Sequence, residues 1–177
     1  MILKLSIGIS MGVLLAAAAG GQTTDEYHVK AAFLYNFAKF VDWPPQTFKN
    51  ARDPVSICVL GASPFGGSLD EAVAGKSIDG RKFAVRQVAD MAQAEGCQIL
   101  FITARQKKLP PDVIMAGVLT VGESDGFASG GGVIGFKLEG GKVRLEINVG
   151  AADQRKLRIS SKLLSLAQIV KTQGIGK

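Results

Sequence analysis

The chain has 177 residues, a length that suits one domain with a sizeable hydrophobic core. Hydrophobic residues make up 47% of it and charged residues 20%, which is the composition of a globular protein rather than a disordered one. The formal net charge is +6, but the Lys and Arg residues are scattered singly or in short groups. Nucleic-acid binding requires a dense basic patch with aromatic residues, so the charge argues against that class and indicates a solvated surface.

The first 21 residues have the pattern of a signal peptide. Lys4 supplies a positive charge, Leu5–Leu15 is apolar, and Ala16–Ala19 offers small residues for cleavage. The apolar run is shorter than the roughly 20 residues that a membrane helix needs, although an uncleaved anchor is the alternative. We therefore predict export to the periplasm with cleavage between Ala18 and Gln22, which leaves residues 22–177 as a single domain in an oxidising compartment.

A helix is predicted from Glu26 to Val41, because apolar residues recur there at the i, i+3, i+4, i+7 spacing. The run Trp43-Pro44-Pro45 ends it, since proline cannot continue a helix. We interpret the aromatic stripe of this helix as core, with a partner-binding face as the alternative. The stripe consists of Phe33, Phe37 and Phe40.

The rest of the chain alternates short apolar runs with helical pieces, which is the pattern of an α/β protein. The predicted strands are Val55–Leu60, Phe83–Val88, Gln98–Thr103, Val118–Val121, Val133–Leu138 and Val143–Asn148. The predicted helices are Ser68–Val73, Ala89–Glu95, Pro110–Ala116 and a last one from Ser160 or Ser161 through Val170. Val149–Leu157 is predicted to be a short helix or a turn. Gly140-Gly141 predicts a tight hairpin. The predicted fold is a three-layer α/β/α sandwich, doubly wound like the Rossmann and flavodoxin folds, with a mixed sheet that ends in an antiparallel hairpin.

The turn GASPFGGS after the first of these strands resembles a phosphate-binding loop. Gly67 stands at the position of the lysine that contacts the β- and γ-phosphates, so nucleotide hydrolysis is not expected. The candidate ligand-binding residues are Ser63, Phe65, Gly66 and Gly67, where backbone N–H groups at a helix start can face an anion. A tight strand-to-helix turn with no ligand is the simpler interpretation.

The residue types that carry most enzyme chemistry are sparse. His28 is the only histidine and is expected at the surface, so a zinc site or a Ser–His–Asp arrangement lacks its usual members. There is also no G-x-S-x-G turn. We therefore predict a non-enzyme with no catalytic residue, no metal and no cofactor. Capping at turns and helix starts explains the remaining carboxylates, namely Asp112, Glu123, Asp125 and Asp153.

The two cysteines, Cys58 and Cys97, are expected to form a disulfide. Cys58 lies in the first strand of the α/β unit and Cys97 enters the third, and these strands are neighbours in a doubly wound sheet. The Cα atoms can therefore come within bridging range. A redox-reactive pair is the alternative, but it usually has the C-x-x-C spacing, which is absent here.

Five segments, in this order, resemble the YfiR-like family of small periplasmic regulators. They are KAAFLYNFAKFVDWP (Lys30–Pro44), ICVLGASPFGGSLD (Ile57–Asp70), CQILFI (Cys97–Ile102), GGVIGFKLEGGKVRLEIN (Gly131–Asn148) and LRISSKLLSLA (Leu157–Ala167). The resemblance covers nearly the whole chain after the signal peptide. Cys58 and Cys97 match a structural disulfide of that family. A second cysteine pair that some members carry in the stretch matching Gly131–Glu139 is missing here, so redox control by a second bridge is in doubt.

The resemblance implies a homodimeric periplasmic repressor. Its expected partner is the periplasmic sensor region of an inner-membrane diguanylate cyclase, or of another sensor such as a kinase. The family also implies an outer-membrane lipoprotein that sequesters the repressor. Release of the cyclase would then raise cyclic di-GMP and biofilm formation.

Two classes of function stay open. One is a regulator that binds a membrane sensor by protein–protein contact, which an exposed apolar patch would favour. The other is a small-molecule binding module that feeds a sensor protein, with its pocket near Ser63, Phe65 and Gly122 at the carboxyl ends of the strands. A deep pocket with converging polar groups would favour this second class, and an enzyme ranks third.

Overall fold

The computed structural model describes residues 21–105 and 115–173. The predicted signal peptide and most of the predicted helix Pro110–Ala116 lie outside these residues. The first helix, α1, covers Gly21–Phe40, and Pro44 and Pro45 follow a two-residue strand, β1 (Val41–Asp42). The helix therefore begins earlier than the apolar spacing predicts, because the polar residues before Glu26 carry no hydrophobic signal.

Strand β1 pairs with β9 (Arg158–Ile159), and the other strands of the described residues form one sheet of eight. In chain order they are β2 (Val55–Leu60), β3 (Ser77–Ile78), β4 (Arg81–Val88), β5 (Ile99–Ile102), β6 (Leu119–Gly122), β7 (Ile134–Glu139), β8 (Lys142–Asn148) and β10 (Gln168–Val170). Their spatial order is β10-β8-β7-β6-β5-β2-β4-β3. The five strands from β7 to β4 are parallel and have the flavodoxin-like order, and β7 and β8 form the antiparallel hairpin. The predicted fold class is confirmed.

Each central strand is buried on both faces, as its continuous apolar sequence requires. In β2, Ile57 belongs to the large cluster beneath α1 and α2 (Ser68–Val73), while Cys58 belongs to a smaller cluster on the other face. Within the described residues, a 3-10 helix (Met91–Ala94) and the turn that carries Phe127 cover that smaller cluster. The helical layer is therefore thicker on the first face.

The disulfide between Cys58 and Cys97 is present, with the two Cα atoms 5.9 Å apart. It joins β2 to the residue that leads into β5, and these strands are hydrogen-bonded neighbours. Both cysteines are buried in the smaller cluster. The disulfide predicted from neighbouring strands is therefore confirmed.

The last predicted helix is wrong in its second half. Ser160 caps a short helix, α4 (Ser161–Leu164), and Gln168–Val170 instead forms β10, which pairs in parallel with β8. Ile169 and Val170 are β-branched and suit a strand, and the outer edge of β8 offers them backbone partners. Sequence periodicity alone does not reveal an open sheet edge elsewhere in the chain.

One further helix and the predicted hairpin turn differ little from expectation. A helix α3 (Val149–Gln154) follows β8, and Asn148 caps it by accepting a hydrogen bond from the N–H of Ala151. Gly140 and Gly141 both have positive φ, as a two-residue type I′ hairpin requires. No helix within residues 21–105 and 115–173 has the length and apolar character needed to cross a membrane.

Candidate functional site

The carboxyl ends of the parallel strands are the expected binding region of a doubly wound fold. In the flavodoxin-like order the switch point lies between β2 and β5, and ligands bind in the crevice beside it. Here that crevice lies beneath the N-terminal turns of α1. The side chains that fill it therefore decide whether the fold keeps room for a ligand.

Glu123, directly after β6, is the centre of a buried polar cluster. Its side chain is 7% exposed and accepts a 2.6 Å hydrogen bond from Lys30 Nζ in α1. It also accepts hydrogen bonds from the Tyr27 hydroxyl at 3.2 and 3.3 Å and from the N–H of Ala104 at 3.1 Å. Glu26 pairs with the same ammonium group. This one carboxylate thus joins α1 to the ends of β5 and β6.

Aromatic rings fill the crevice beside this cluster. Phe65 is 3% exposed, and its ring packs edge-on against Tyr27 and Phe101 with centroids 5.4 and 4.9 Å away. Burial, followed by the negative charge of Glu123 and the hydrogen bond to it, raises the pKa of Tyr27 to about 12. Tyr27 therefore stays a neutral hydrogen-bond donor at physiological pH.

The opposite face of the sheet is filled in the same way. The ring of Phe127 lies against Gly122, the last residue of β6, and against Gly132. A Cβ atom added at either glycine would overlap this ring. Glycine is therefore required at both positions by close packing, and Gly122 offers no open surface to a ligand.

The four candidate ligand-binding residues have different surroundings. Phe65 is a core residue, and Ser63 Oγ accepts a 3.4 Å hydrogen bond from its N–H. Phe65 and Gly66 line a crevice of about 220 Å³ together with Tyr27, whereas Ser63 and Gly67 do not line it. Ligand pockets usually measure about 300–1,000 Å³. Gly67 precedes α2, a helix of only six residues.

A larger cleft of about 650 Å³ lies on the second face of the sheet, beside β7, β8 and β10. It is wide and polar. Lys137, on its floor, already pairs with Glu139 at 2.7 Å and with Glu146 at 4.0 Å. Sequence reasoning did not find this cleft, because it depends on the strand β10. Its other charged lining residues are Asp125 and Lys171.

The residues considered for metal or acid–base chemistry do not converge. Among the described residues, no group of three or more His, Cys, Asp or Glu side chains could hold a metal ion. His28 is exposed on α1, where its Nδ1 lies 2.8 Å from the carbonyl oxygen of Thr24. Glu123 and Asp125 are near each other at the end of β6. The carboxylate of Glu123 does not cap a turn as predicted, because it accepts hydrogen bonds from Tyr27, Lys30 and the N–H of Ala104.

Among residues 21–105 and 115–173, large apolar side chains are exposed at two places. Val29 on α1 and Leu138 on β7 are 44% and 56% exposed, and they lie on opposite walls of a groove of about 690 Å³. Leu166 and Ile169 are 70% and 51% exposed, before and within the edge strand β10. We call the first surface the α1–hairpin groove and the second the β10 ledge.

Comparison with known families assigns the chain. The model of the YfiR/HmsC-like family matches residues 27–168, from the start of the polar cluster on α1 to the first residue of β10. The chain belongs to the YfiR/HmsC-like family. The resemblance of the five segments is thereby confirmed for most of the described structure. No curated protein matches this YfiR/HmsC-like chain significantly.

The pairing of Glu123 with Lys30 was not predicted from the sequence. The sequence pattern places Lys30 on the polar side of the helix and indicates a capping role for Glu123. The available signal was the position of Glu123 after a buried strand, where the carboxyl ends of parallel strands meet. That signal places Glu123 at the edge of the sheet but does not identify its partner.

Proposed function

We propose that this YfiR/HmsC-like protein is an exported, non-enzymatic regulator. It binds the periplasmic sensor region of an inner-membrane diguanylate cyclase or kinase and lowers the output of that enzyme. The observation that supports this proposal is the contrast between the crevice and the surface. The crevice at the strand ends is packed with the protein's own side chains, whereas large apolar side chains remain exposed.

The packed crevice favours a function by protein–protein contact over one by small-molecule binding. Removing Phe65 or Tyr27 from it would break aromatic packing and the hydrogen bonds to Glu123. A ligand would have to replace those interactions before it gained any of its own. Exposed apolar patches, by contrast, commonly mark protein-interaction sites.

The β10 ledge is the surface that we assign to the sensor. Leu166 and Ile169 can enter an apolar pocket of a partner, and the edge of β10 offers backbone groups for strand addition. Lys162 and Lys171 lie close to the ledge in sequence and are exposed, which favours an acidic partner surface.

Repression then follows from linkage. A protein that binds the inactive state of the sensor better than the active state shifts the sensor towards inactivity. A hundredfold repression needs a difference of at least about 2.7 kcal/mol between the two binding free energies. An outer-membrane lipoprotein that competes for this protein would restore the output.

Gene deletion with matched complementation tests the proposal. Deletion should raise the output of the sensor, read as cyclic di-GMP and biofilm where the sensor is a cyclase. The exported protein should restore repression, while a version kept in the cytoplasm should not. Leu166→Asp should abolish repression, and Ala92→Asp, which adds the same charge at another exposed site, should not. Repression by the cytoplasmic version, or unchanged output after deletion, would contradict the proposal.

The polar cleft supports a second candidate, a periplasmic small-molecule binding module. Its volume of about 650 Å³ falls within the usual range for ligand sites. Under this hypothesis Lys137→Met would change the response of the sensor to a small molecule but would leave basal repression intact. A thermal-shift screen of the exported protein against periplasmic extract fractions separates the two candidates.

A further inference from the structure

Two lysine side chains lie against the ring of one tyrosine on the α1 side of the sheet. Lys39, in the last turn of α1, and Lys76, after α2, each place Nζ 4.3 Å from the centroid of the Tyr35 ring. The two ammonium groups are therefore within about 9 Å of each other, which is close to the Debye length of about 8 Å at physiological ionic strength. Their positive charges consequently add together here. We call these three residues the lysine–tyrosine cluster.

The hydrophobic core holds the ring of this cluster in place. Tyr35 packs edge-on against Phe83 of β4, with ring centroids 5.3 Å apart, and both rings pack against the large core cluster. Lys39 is one helical turn after Tyr35, so the two side chains share a face of α1. The N–H of Lys76 donates to the carbonyl oxygen of Val73 at 3.0 Å, in the turn that ends α2. The helix α1 and this turn thus each bring one ammonium group to a fixed ring.

The positive charge of the cluster has no counterion in the protein. Both lysines are exposed, and neither forms an ion pair with a carboxylate of residues 21–105 and 115–173. Lys30, Lys49 and Lys137, by contrast, each pair with a glutamate. An aromatic ring attracts an ammonium group and orients it, but does not neutralise its charge. An anion at the cluster would therefore meet two uncompensated charges.

We infer that the lysine–tyrosine cluster binds a phosphate group, either free in solution or as the headgroup of an anionic lipid. Two ammonium groups favour an anion with two charges, and a phosphate monoester carries about −1.5 to −2 at pH 7. Its oxygens accept hydrogen bonds from both lysines at once, because each ammonium is a compact donor on a flexible stem. A carboxylate carries a single charge, so it gains less from the second lysine.

Titration with inorganic phosphate tests the site directly, with NMR signals of the lysine side chains as the readout. In the exported protein the signals of Lys39 and Lys76 should move with one dissociation constant, and the signal of Lys142, an exposed lysine on β8, should not. Lys39→Met and Lys76→Met, each observed on the lysine that remains, should raise the constant at least about fivefold, since one of two charge-assisted contacts is lost. Lys142→Met should leave it unchanged. Acetate should bind at least about fivefold more weakly than phosphate.

Substitution of the ring separates an ordered site from a diffuse positive surface. Tyr35→Phe keeps the ring and should keep the dissociation constant of phosphate within about twofold of the original. Tyr35→Leu changes no charge but removes the ring that orients the ammonium groups, so it should raise the constant about threefold or more. Circular dichroism checks that this variant folds. The variants of the two exposed lysines decide the inference if it does not.

Vesicles separate the two sources of the phosphate group. Flotation with phosphatidylcholine vesicles that contain phosphatidic acid, lost in Lys39→Met and Lys76→Met, would assign a lipid headgroup. Phosphate binding without flotation would assign a free phosphate. Binding of neither probe, or equal behaviour of the two lysine variants and Lys142→Met, would overturn the inference. None of these outcomes bears on the proposed repression, which the deletion experiment tests separately.

Discussion

Replacing Glu123 by Gln is expected to destabilise the fold through the polar cluster at the strand ends. The side chains of Lys30 and Glu123 are 6% and 7% exposed, so their pairing is little screened by solvent. Removing one partner of a buried ion pair costs about 3–5 kcal/mol. Glu26 remains beside Lys30 and partly compensates its charge, so we place the loss below this range, at about 2–3 kcal/mol. For a domain of this size, that is a fall in Tm of about 4–12 °C.

The pKa of Tyr27 reports on the loss of the Glu123 charge specifically, because a general loss of packing would not lower it in this way. Tyr35→Phe leaves Tyr27 as the only tyrosine, and its ionisation is followed by ultraviolet absorbance. Its pKa of about 12 should fall towards 10 in the Glu123→Gln variant, because the charge of Glu123 and the hydrogen bond to it are lost while burial remains. A phenol whose pKa is raised by folding contributes stability below pH 10, and this contribution is lost as the pH rises through 12. The variant should therefore lose less stability than the original protein at alkaline pH.

Denaturant unfolding of the protein, with its disulfide intact, measures the free energy of unfolding. Glu139→Gln is the matched control, because Glu139 and Lys137 form a half-exposed, solvent-screened pair whose loss should hardly change the unfolding free energy. Lys30→Met combined with Glu123→Gln should cost less than the sum of the two single changes, since the unpaired ammonium is removed. An unfolding free energy within 0.5 kcal/mol of the original, together with an unchanged pKa of Tyr27, would refute the reasoning about the cluster.

Two other predictions concern the sheet. Replacing both Cys58 and Cys97 by Ala should lower the free energy of unfolding by about 4 kcal/mol in the chain-entropy model, because the disulfide closes a separation of 39 residues. A thermal midpoint that reduction leaves unchanged would contradict this prediction. Gly122→Ala should lower the free energy of unfolding, measured by chemical denaturation, by more than about 2 kcal/mol, because the added Cβ overlaps the ring of Phe127. Gly67→Ala should hardly change it, because the nearest atom to the added Cβ is Glu71 Oε1 at 3.6 Å. Equal effects of the two glycine substitutions would show that close packing of Phe127 against Gly122 does not stabilise the sheet.

The elements with local boundary signals could be predicted from sequence. Val55–Leu60 and Ser68–Val73 have the predicted bounds in the structure, because Pro54 precedes the strand and glycines separate it from the helix. The hairpin at Gly140 and Gly141 is equally local. Predicting the disulfide also required the inference that the strands of Cys58 and Cys97 are neighbours in the sheet.

The features that depend on distant partners could not be predicted. Gln168–Val170 becomes a strand because β8 has an open edge, which the helical spacing near Leu163 does not reveal. Lys30 and Glu123 are 93 positions apart, and neither has an unusual sequence context. The packing of Phe127 onto Gly122 is similarly non-local. The candidate residues of the glycine loop were therefore chosen without knowledge of the side chains that close over them.

The polar cluster and the α1–hairpin groove are on the same turns of α1. Tyr27 and Lys30 point into the cluster, and Val29, between them in sequence, is exposed in the groove. Glu123 therefore fixes the helix segment that carries Val29 and Phe33. The region where related folds bind ligands is used here to hold α1 in place. Glu123→Gln should therefore speed amide hydrogen exchange in the first turns of α1 as well as lower stability, and Glu139→Gln should change neither.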